Sequence, residues 1–318
     1  MKLHLIAIPA ALCLVASAAL GFTEECHQTI GAMADRLIEN TEAGARARAL
    51  LGSETLSAAS TWADQVKGWG DQTAEMAQFT SNNPAHAQYH YTDIPFQEPK
   101  YFDSSVGATN IDVIHAIDAC VAILQNKPQT LYKNVDAKTA LRLLVHYIGD
   151  MHQPLHVGAG YLSATNYVNP NVVTNTSVAD RGGNSLMYKG KRLHLLWDLD
   201  YVRAAMTNAG VATPAEYASR LLARPAPARA GGSFETWTRQ WAGESLVLSL
   251  KVHSLAVVAS ETYTDSRSGQ LHSQWVLEPA NSEYDKWAAA AVDDQILKAG
   301  HRLADLLQAI WPQPKTAQ

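Results

Sequence analysis

Two pairs of residues in this sequence have the types and the spacing that can bind a metal ion. They are His146–Asp150 and His194–Asp198, each a His-x-x-x-Asp motif. On an α-helix, residues four apart share one face with Cβ atoms roughly 5–6 Å apart, so an imidazole and a carboxylate can bind one cation. His156 follows just after Pro154, which ends the helix. Because zinc prefers imidazole and carboxylate ligands, the sequence predicts a site for more than one metal ion.

Further ligand-type side chains lie upstream, at His27, Asp64 and His90. A single histidine is usually an ordinary core or surface residue, and one isolated His-x-x-x-Asp pair is more often a salt-bridge-like contact. The two pairs and the three upstream residues together favour metal binding. Five other histidines lack this context and are expected to have structural roles only: His86, His115, His253, His272 and His301.

The elements that must position these ligands are mostly helices. Asp136 is expected to cap a helix to about residue 151 that is apolar nearly all round, which predicts a buried central helix. A buried histidine and aspartate on it would be costly unless they are paired or bind a metal. Other helices are predicted after His27 to about residue 49 and at 54–68, 110–124 (capped by Asn110), 214–223, 233–262 and 284–307. Strand patterns are scarce and 159–179 is predicted to be a loop, so the predicted fold is all-α, a single domain at 22–318 with many helices around the central one.

The charge of the chain excludes one class of nucleic-acid binder. The sequence has 318 residues and a net charge of −5 at pH 7. A protein that tracks along duplex DNA is normally basic. Any nucleic-acid chemistry here must therefore depend on local contacts and on bound cations.

The first 21 residues are expected to be a signal peptide that is removed. An apolar run at 5–20 follows Lys2 and ends in small residues. It is short for a membrane span of about 20 residues, and no other span is predicted. Cleavage after Ala18, after Ala19 or after Gly21 fits this pattern, and the protein is expected to be secreted or periplasmic.

Two cysteines remain after removal of the signal peptide, Cys26 and Cys120. An even number of cysteines in an exported protein favours a disulfide bond between them. Two buried free thiols are the alternative.

Several motifs resemble those of type I nucleases, the zinc-dependent, single-strand-specific nucleases and 3′-nucleotidases of fungi, plants and bacteria, whose fold is shared with zinc-dependent phospholipases C. The similarity extends over essentially the whole chain after the signal peptide. The matching segments are 62–65 (Trp-Ala-Asp-Gln), 90–93 (His-Tyr-Thr-Asp), 143–158 (around His-Tyr-Ile-Gly-Asp-Met-His-Gln-Pro-Leu-His), 180–185 (Asp-Arg-Gly-Gly-Asn-Ser), 193–198 (Leu-His-Leu-Leu-Trp-Asp) and 295–304.

This resemblance implies a cleft with three zinc ions and assigns their ligands. Asp64, His90, His146 and Asp150 would hold the first ion, and His156, His194 and Asp198 the third. The second would take His27, Asp150 as a bridging carboxylate, and the α-amine and carbonyl oxygen of the mature N-terminal residue. That residue is typically Trp in the family and is Phe22 here. The assignment favours cleavage after Gly21, because one more residue would convert the amine into an amide.

The resemblance also implies the reaction. The expected activity is endonucleolytic hydrolysis of single-stranded DNA and RNA to 5′-phosphorylated products, with 3′-nucleotidase activity. Asp64 would orient the nucleophile and Asn184 would hydrogen-bond the scissile phosphate. Tyr91 would stack on a base that Asp93 recognises, although Tyr91 in the core and Asp93 as a loop cap are the alternative. The expected partners are these nucleic acids and 3′-nucleotides, with no stable protein partner implied.

Two other functions fit part of this pattern. A zinc-dependent phospholipase C would have the same metals and a pocket for lipid, but Asp93 and the motif at 180–184 favour the nuclease. A zinc-binding protein without catalysis is a second alternative, and the presence of Asp64 and Asn184 argues against it. The connection at 158–180 is longer than in many relatives and lies between two motifs, where it could alter substrate choice.

Overall fold

A computed structural model of the protein describes residues 22–67, 72–172, 177–264, 269–278 and 282–314. The predicted signal peptide, 1–21, lies outside the described residues, as do 173–176 of the predicted loop. The helices are α1 (Glu24–Leu37), α2 (Glu42–Leu51), α3 (Leu56–Ala59), α4 (Trp62–Val66), α5 (Ala74–Asn82), α6 (Val113–Leu124), α7 (Ala137–His152), α8 (Leu193–Leu195), α9 (Tyr201–Ala209), α10 (Pro214–Leu222), α11 (Trp237–Val252) and α12 (Ser282–Ile310). Short 3-10 turns occupy His86–His90, Pro154–His156 and Phe234–Thr236, and a π-helical turn occupies Leu196–Asp200.

Helix α7 is the predicted central helix. Asp136 caps it by accepting a hydrogen bond from Thr139 N at 2.8 Å, and every residue from 139 to 152 is buried. It packs against α1, α6, α11 and α12. The buried apolar side chains, from Phe22 near the start to Ile310 near the end, form one continuous core. The mostly helical, single-domain prediction is therefore confirmed.

Short strands add three small sheets within the described part of the chain. β1 (Ile94–Pro95) pairs in parallel with β2 (Gly158–Ala159). β3 (Tyr161–Ser163) pairs with β4 (Asn166–Tyr167) and β5 (Val178–Ala179) in an antiparallel sheet. In the third sheet, β6 (Leu186–Tyr188) lies between β7 (Lys191–Arg192) and β9 (Leu271–Leu277), and β9 also pairs with β8 (Val257–Thr264). The segment predicted as a loop at 159–179 is thus partly a small sheet.

Several predicted helix boundaries differ in the structure, and the helix expected at 54–68 is divided into α3 (Leu56–Ala59) and α4 (Trp62–Val66). The helix expected at 233–262 ends at Val252, because the β-branched residues that follow form β8 and pair with β9. The first predicted helix is interrupted, because Thr41 caps a new helix by accepting a hydrogen bond from Gly44 N. Asp112, rather than Asn110, caps α6.

The expected disulfide between Cys26 and Cys120 is wrong, since both are buried free thiols. The Cys120 thiol instead donates to Tyr132 Oη at 3.6 Å, and burial raises its pKa to about 12. An even number of cysteines therefore does not indicate a disulfide bond here, because each thiol is part of the helical core.

Within the described ranges, no helix combines the length and the apolar character needed to cross a lipid bilayer.

Candidate metal centre

The predicted ligands form three clusters of histidine and aspartate around the end of α7. Cluster 1 is Asp64, His90 and His146; cluster 2 is His27, His146 and Asp150; cluster 3 is His156, His194 and Asp198. In each cluster, one ligand atom from every residue lies within 4.8 Å of the others. The structure thus brings together all eight predicted side-chain ligands.

Cluster 1 joins α4, the turn at His86–His90 and α7. His146 Nε2 lies 3.5 Å from Asp64 Oδ1 and 3.2 Å from His90 Nδ1. The Asp64 carboxylate also accepts a hydrogen bond from Lys67 Nζ at 2.8 Å. Burial opposes ionisation of Asp64, but Lys67 and His146 hold its pKa below the usual value. Cluster 1 therefore presents a carboxylate beside two imidazoles.

Cluster 2 joins α1 to α7. The rings of His27 and His146 are stacked with centroids 3.8 Å apart, and Asp150 lies 3.5 Å from His27 Nε2 and 3.1 Å from His146 Nε2. This close approach requires Gly149, since a Cβ there would lie 2.6 Å from His27 Nδ1. Phe22 is fully buried, and its ring meets His27 edge-on at 6.5 Å.

Cluster 3 lies beyond the end of α7. Pro154 begins the turn that carries His156, and the π-helical turn carries Asp198. His194 Nε2 is 3.1 Å from Asp198 Oδ2, and His156 Nε2 is 3.6 Å from Asp198 Oδ1. The two imidazoles are stacked with centroids 4.9 Å apart. Burial lowers the pKa of His156, but Asp150 and Asp198 reverse this effect and raise it to about 9.

Asp150 lies between the three clusters. Besides the two histidines of cluster 2, it is 2.8 Å from His90 Nδ1 and 3.4 Å from His156 Nδ1. Burial alone would raise the pKa of Asp150, but His146 and His156 hold it well below the usual value. The central carboxylate is therefore ionised and faces several imidazoles.

The orientation of the imidazoles fits metal binding. The Nδ1–H groups of His146, His156 and His194 donate to backbone carbonyls, those of Ser60 (2.7 Å), His90 (3.0 Å) and Gly182 (2.7 Å). Each of these bonds directs the Nε2 of the same ring into a cluster, where the neutral imidazole can offer its lone pair to a metal ion.

Several polar atoms of these residues are buried without a hydrogen bond in the described structure. They are both ring nitrogens of His27, His156 Nε2, Asp150 Oδ1 and Asp198 Oδ2. Leaving such groups unsatisfied costs about 1–3 kcal/mol each. A cation at cluster 2 and one at cluster 3 would satisfy most of these atoms, so the residues present fit metal ions.

A cleft of about 280 Å³ opens beside these clusters. Tyr91, Asp93 and Asn184, the three predicted substrate-binding residues, all line it. Tyr91 is 40% exposed, which excludes the alternative that it belongs to the core. The full lining is Lys67, Ala87, His90, Tyr91, Asp93, Leu155, His156, Arg181, Asn184, Arg192 and His194.

A tight turn at 180–185 forms part of the cleft wall. Arg181, Gly182 and Gly183 have φ values of 60°, 57° and 76°, and a Cβ on Gly182 would lie 2.2 Å from Leu155 O. Asn184 donates to Arg181 O from both its backbone N (3.2 Å) and its Nδ2 (3.0 Å). The turn therefore fixes Asn184 at the rim.

Sequence reasoning missed several residues around the site. Lys67 lies three residues after Asp64, a helical spacing that could have identified it. Gln153 donates from Nε2 to Asp198 Oδ1 at 2.8 Å, and His253 pairs with Asp180 at 3.0 Å. No local sequence signal links these last two contacts.

Comparison with known proteins agrees with this geometry. The S1/P1 nuclease family matches residues 22–312. Nuclease S1 of Aspergillus oryzae (strain ATCC 42149 / RIB 40) is 24% identical over 328 aligned residues, which cover 98% of this chain and 99% of that protein. Endonuclease 1 of Arabidopsis thaliana is 29% identical over 161 residues, 48% of this chain and 43% of that protein. Because the family match extends over nearly all of the chain that contains the three clusters, the chain belongs to the S1/P1 nuclease family of phosphodiester hydrolases.

Proposed function

We propose that this protein is a zinc-dependent endonuclease for single-stranded DNA and RNA that leaves 5′-phosphorylated products and also acts as a 3′-nucleotidase. The observation that carries the proposal is that the buried His/Asp clusters adjoin one cleft with an exposed aromatic ring, Tyr91. A base inside a duplex cannot reach such a ring, whereas an unpaired base can stack on it.

Three zinc ions are the proposed cofactors, one for each cluster. The donor set of imidazole nitrogens and carboxylate oxygens is the one zinc prefers. Bound zinc lowers the pKa of water and polarises phosphate oxygens, which supplies the nucleophile and the charge stabilisation for hydrolysis. Asp150 would contribute to two of the three sites, since it belongs to cluster 2 and also lies 2.8 Å from His90 of cluster 1.

Two side chains are proposed to act directly on the reacting groups. Within the described part of the chain, the contacts of Asp64 with Lys67, His90 and His146 all use Oδ1, which leaves Oδ2 to accept a hydrogen bond from the attacking water and orient it. Asn184 Nδ2 would donate to a phosphate oxygen from the rim of the cleft. Both roles are positional and need no change in protonation of the residue.

Tyr91 and Asp93 are proposed to bind the base. Stacking on Tyr91 would contribute about 1–3 kcal/mol for any base. Asp93 lies on the same wall, where burial and the charge of Asp180 raise its pKa to about 6. Its carboxyl group could accept a hydrogen bond from a base amino group when ionised.

We also propose export, with removal of 1–21, so that Phe22 becomes the N-terminal residue. Its α-amine and carbonyl oxygen would add two ligands to cluster 2, beside the side chains of His27, His146 and Asp150. The complete burial of Phe22 beside His27 supports this proposal.

Chelation and metal replacement test the nuclease proposal. Protein stripped by a chelator should lose cleavage of single-stranded DNA and RNA, and zinc should restore it. Duplex DNA of the same sequence should be cleaved far more slowly, and the ends produced should carry a 5′-phosphate. A fully zinc-loaded protein without phosphodiester hydrolysis would contradict the proposal.

Phosphatidylcholine is the substrate that tests the phospholipase alternative. The cleft lining includes three cationic side chains, Lys67, Arg181 and Arg192, and few apolar ones, which disfavours a lipid chain. Hydrolysis of phosphatidylcholine in preference to single-stranded nucleic acid would favour a phospholipase instead.

A further inference from the structure

The negative charges of the cleft and of a nucleic-acid substrate repel each other, and bound metal ions would compensate them only at the clusters. The whole chain has a net charge of −5, and the cleft and its clusters contain the carboxylates of Asp64, Asp93, Asp150 and Asp198. A nucleic-acid strand has one negative charge per nucleotide, so the phosphates on either side of the scissile bond also need compensation. Cations elsewhere in the cleft must supply it.

Two guanidinium groups in the cleft are available for this role. Arg181 and Arg192 both line the cleft with His194 and both are exposed. Within the described residues, neither side chain makes a hydrogen bond or an ion pair. Arg142, Arg224 and Arg239, in contrast, are each ion-paired with two carboxylates. An unpaired guanidinium can offer its full set of donors to a phosphate.

The backbone holds Arg181 firmly at the rim. Arg181 adopts φ = 60°, a left-handed conformation that side chains other than glycine rarely adopt and that persists only where surrounding contacts enforce it. Those contacts come from Asp180, which is fully buried. Its Oδ1 accepts from Gly183 N at 3.0 Å, its carbonyl accepts from Ser185 N at 2.9 Å, and its Oδ2 pairs with His253.

Arg192 is held by a different element on the same wall. It is the last residue of β7 and pairs in register with Met187 of β6. Two residues later, His194 enters cluster 3. The side chains of Arg181 and Arg192 thus line the cleft from a tight turn and from a short strand, next to the same metal ligand, His194.

We propose that Arg181 and Arg192 form a subsite for the phosphates that flank the scissile bond, so that the enzyme favours oligonucleotides over substrates with a single phosphate. This inference rests on the proposed nuclease function and deepens it. Lys67 does not belong to the subsite, because its ammonium group is already paired with Asp64. The competing explanation for Arg181 is charge compensation of Asp93, which would affect every substrate equally.

The test compares two substrates in the zinc-loaded, full-length mature protein. A dinucleoside monophosphate has one phosphodiester and no flanking phosphate. A single-stranded decanucleotide has flanking phosphates beside each scissile phosphodiester except at its ends. The Arg181→Asn/Arg192→Gln variant removes both charges, and Asn tolerates the left-handed backbone at 181. Arg203→Gln/Arg220→Gln is the matched control, because both residues are exposed, lie outside the cleft and change the net charge equally.

The cleft variant should lower kcat/KM for the decanucleotide about 10- to 100-fold, about one tenfold step for each phosphate contact. Its kcat/KM for the dinucleoside monophosphate should stay within about twofold of the wild type. The salt dependence of log kcat/KM on the decanucleotide should become shallower by about 0.7 for each lost contact. The control variant should match the wild type in all three measurements.

A binding measurement separates the subsite from catalysis. In an Asp64→Asn background, which slows cleavage, the affinity for a fluorescent decanucleotide should fall by a similar factor when both arginines are replaced. The subsite proposal would be overturned if kcat/KM fell equally for both substrates, or if it fell no more than in the control variant. If the wild type hydrolyses the dinucleoside monophosphate in that case, the proposed function stands; if it hydrolyses neither substrate, both proposals fail.

Discussion

His253 Nε2–H donates to Asp180 Oδ2 at 3.0 Å, and both side chains are fully buried. The ring of His253 is also stacked on Phe96 with centroids 4.5 Å apart. This pair connects the C-terminal end of α11 to the turn that carries Arg181 and Asn184. A histidine that sequence reasoning treated as ordinary thus anchors one wall of the cleft.

Replacing His253 should therefore affect both stability and activity. His253→Ala leaves the Asp180 carboxylate buried without its partner, which should lower the free energy of unfolding by about 3–5 kcal/mol. The loosened turn should also lower kcat/KM. Urea unfolding measures the change in free energy of unfolding. The control is His272→Ala, on the partly exposed strand β9, which should change stability by about 0.5 kcal/mol or less. Wild-type stability in His253→Ala would show that the pair does not support the turn.

Local spacing explains which ligands the sequence could reveal. His146 and Asp150 are one helical turn apart, as are His194 and Asp198, so helix geometry alone predicts each pair. His27, Asp64 and His90 approach the same clusters from distant segments; their residue types made them candidate ligands, but only the resemblance to a known family assigned each of them to a particular ion. Asp180 and His253 are 73 residues apart, and no periodicity relates residues at that separation.

The same limit applies to the fold. Helix α7 was predictable because its cap and its apolar surface are encoded within one segment. The pairing of β8 with β9 depends on register across a turn, and that of β6 with β9 on contacts between distant segments. Such pairing is not a property of either strand alone, so sequence patterns predict the residues of β8 as part of a helix.

Gln153 should control metal retention at cluster 3. Its side-chain amide donates to Asp198 Oδ1 at 2.8 Å, while its Oε1 accepts from Leu155 N at 2.5 Å. It therefore fixes the carboxylate with Oδ2 facing His194. Loss of such a supporting contact typically costs 10- to 100-fold in metal affinity, so Gln153→Ala should lose about that much at one of the three sites.

Metal content after dialysis against graded chelator concentrations tests this role of Gln153. Gln308→Ala is the control, because among the described residues the Gln308 amide donates to Ala304 O of its own helix alone. Gln153→Ala should release one ion at a lower chelator concentration than either the wild type or the control. Equal retention in all three proteins would contradict the positioning role.

His115 should make stability depend on pH at a site away from the metal clusters. Its Nδ1 lies 2.9 Å from Asp112 Oδ1, and this hydrogen bond raises its pKa above the usual value, with Asp103 acting in the same direction and Arg239 opposing. Because the folded state favours protonated His115, its stabilisation is fully present below a pH of about 6.5. The stabilisation is lost as pH rises through the raised pKa.

Urea unfolding of the wild type and His115→Gln at pH values below and above this range measures the effect. The difference in free energy of unfolding between the wild type and the variant should be larger at the acidic pH than at the alkaline pH. The increase should be at most about 1 kcal/mol, since the pair is partly exposed. His301→Gln should show the opposite trend, because burial lowers the pKa of His301. A difference that does not vary with pH would exclude a role for the Asp112–His115 pair.

The N-terminal residue should decide whether cluster 2 binds its metal. Phe22, the proposed N-terminal residue, is buried beside His27, and Thr23 N donates to Asp198 O at 3.1 Å, so this segment is fixed between clusters 2 and 3. A mature protein with one glycine retained before Phe22 has an amide at this position, which cannot bind zinc as a free amine does. Native mass spectrometry should then count two zinc ions in the extended protein and three in the protein that begins at Phe22. Phe22→Trp with a free amine should keep three zinc ions, because the proposed ligands are backbone atoms. Three zinc ions in the extended protein would exclude the terminal amine as a ligand.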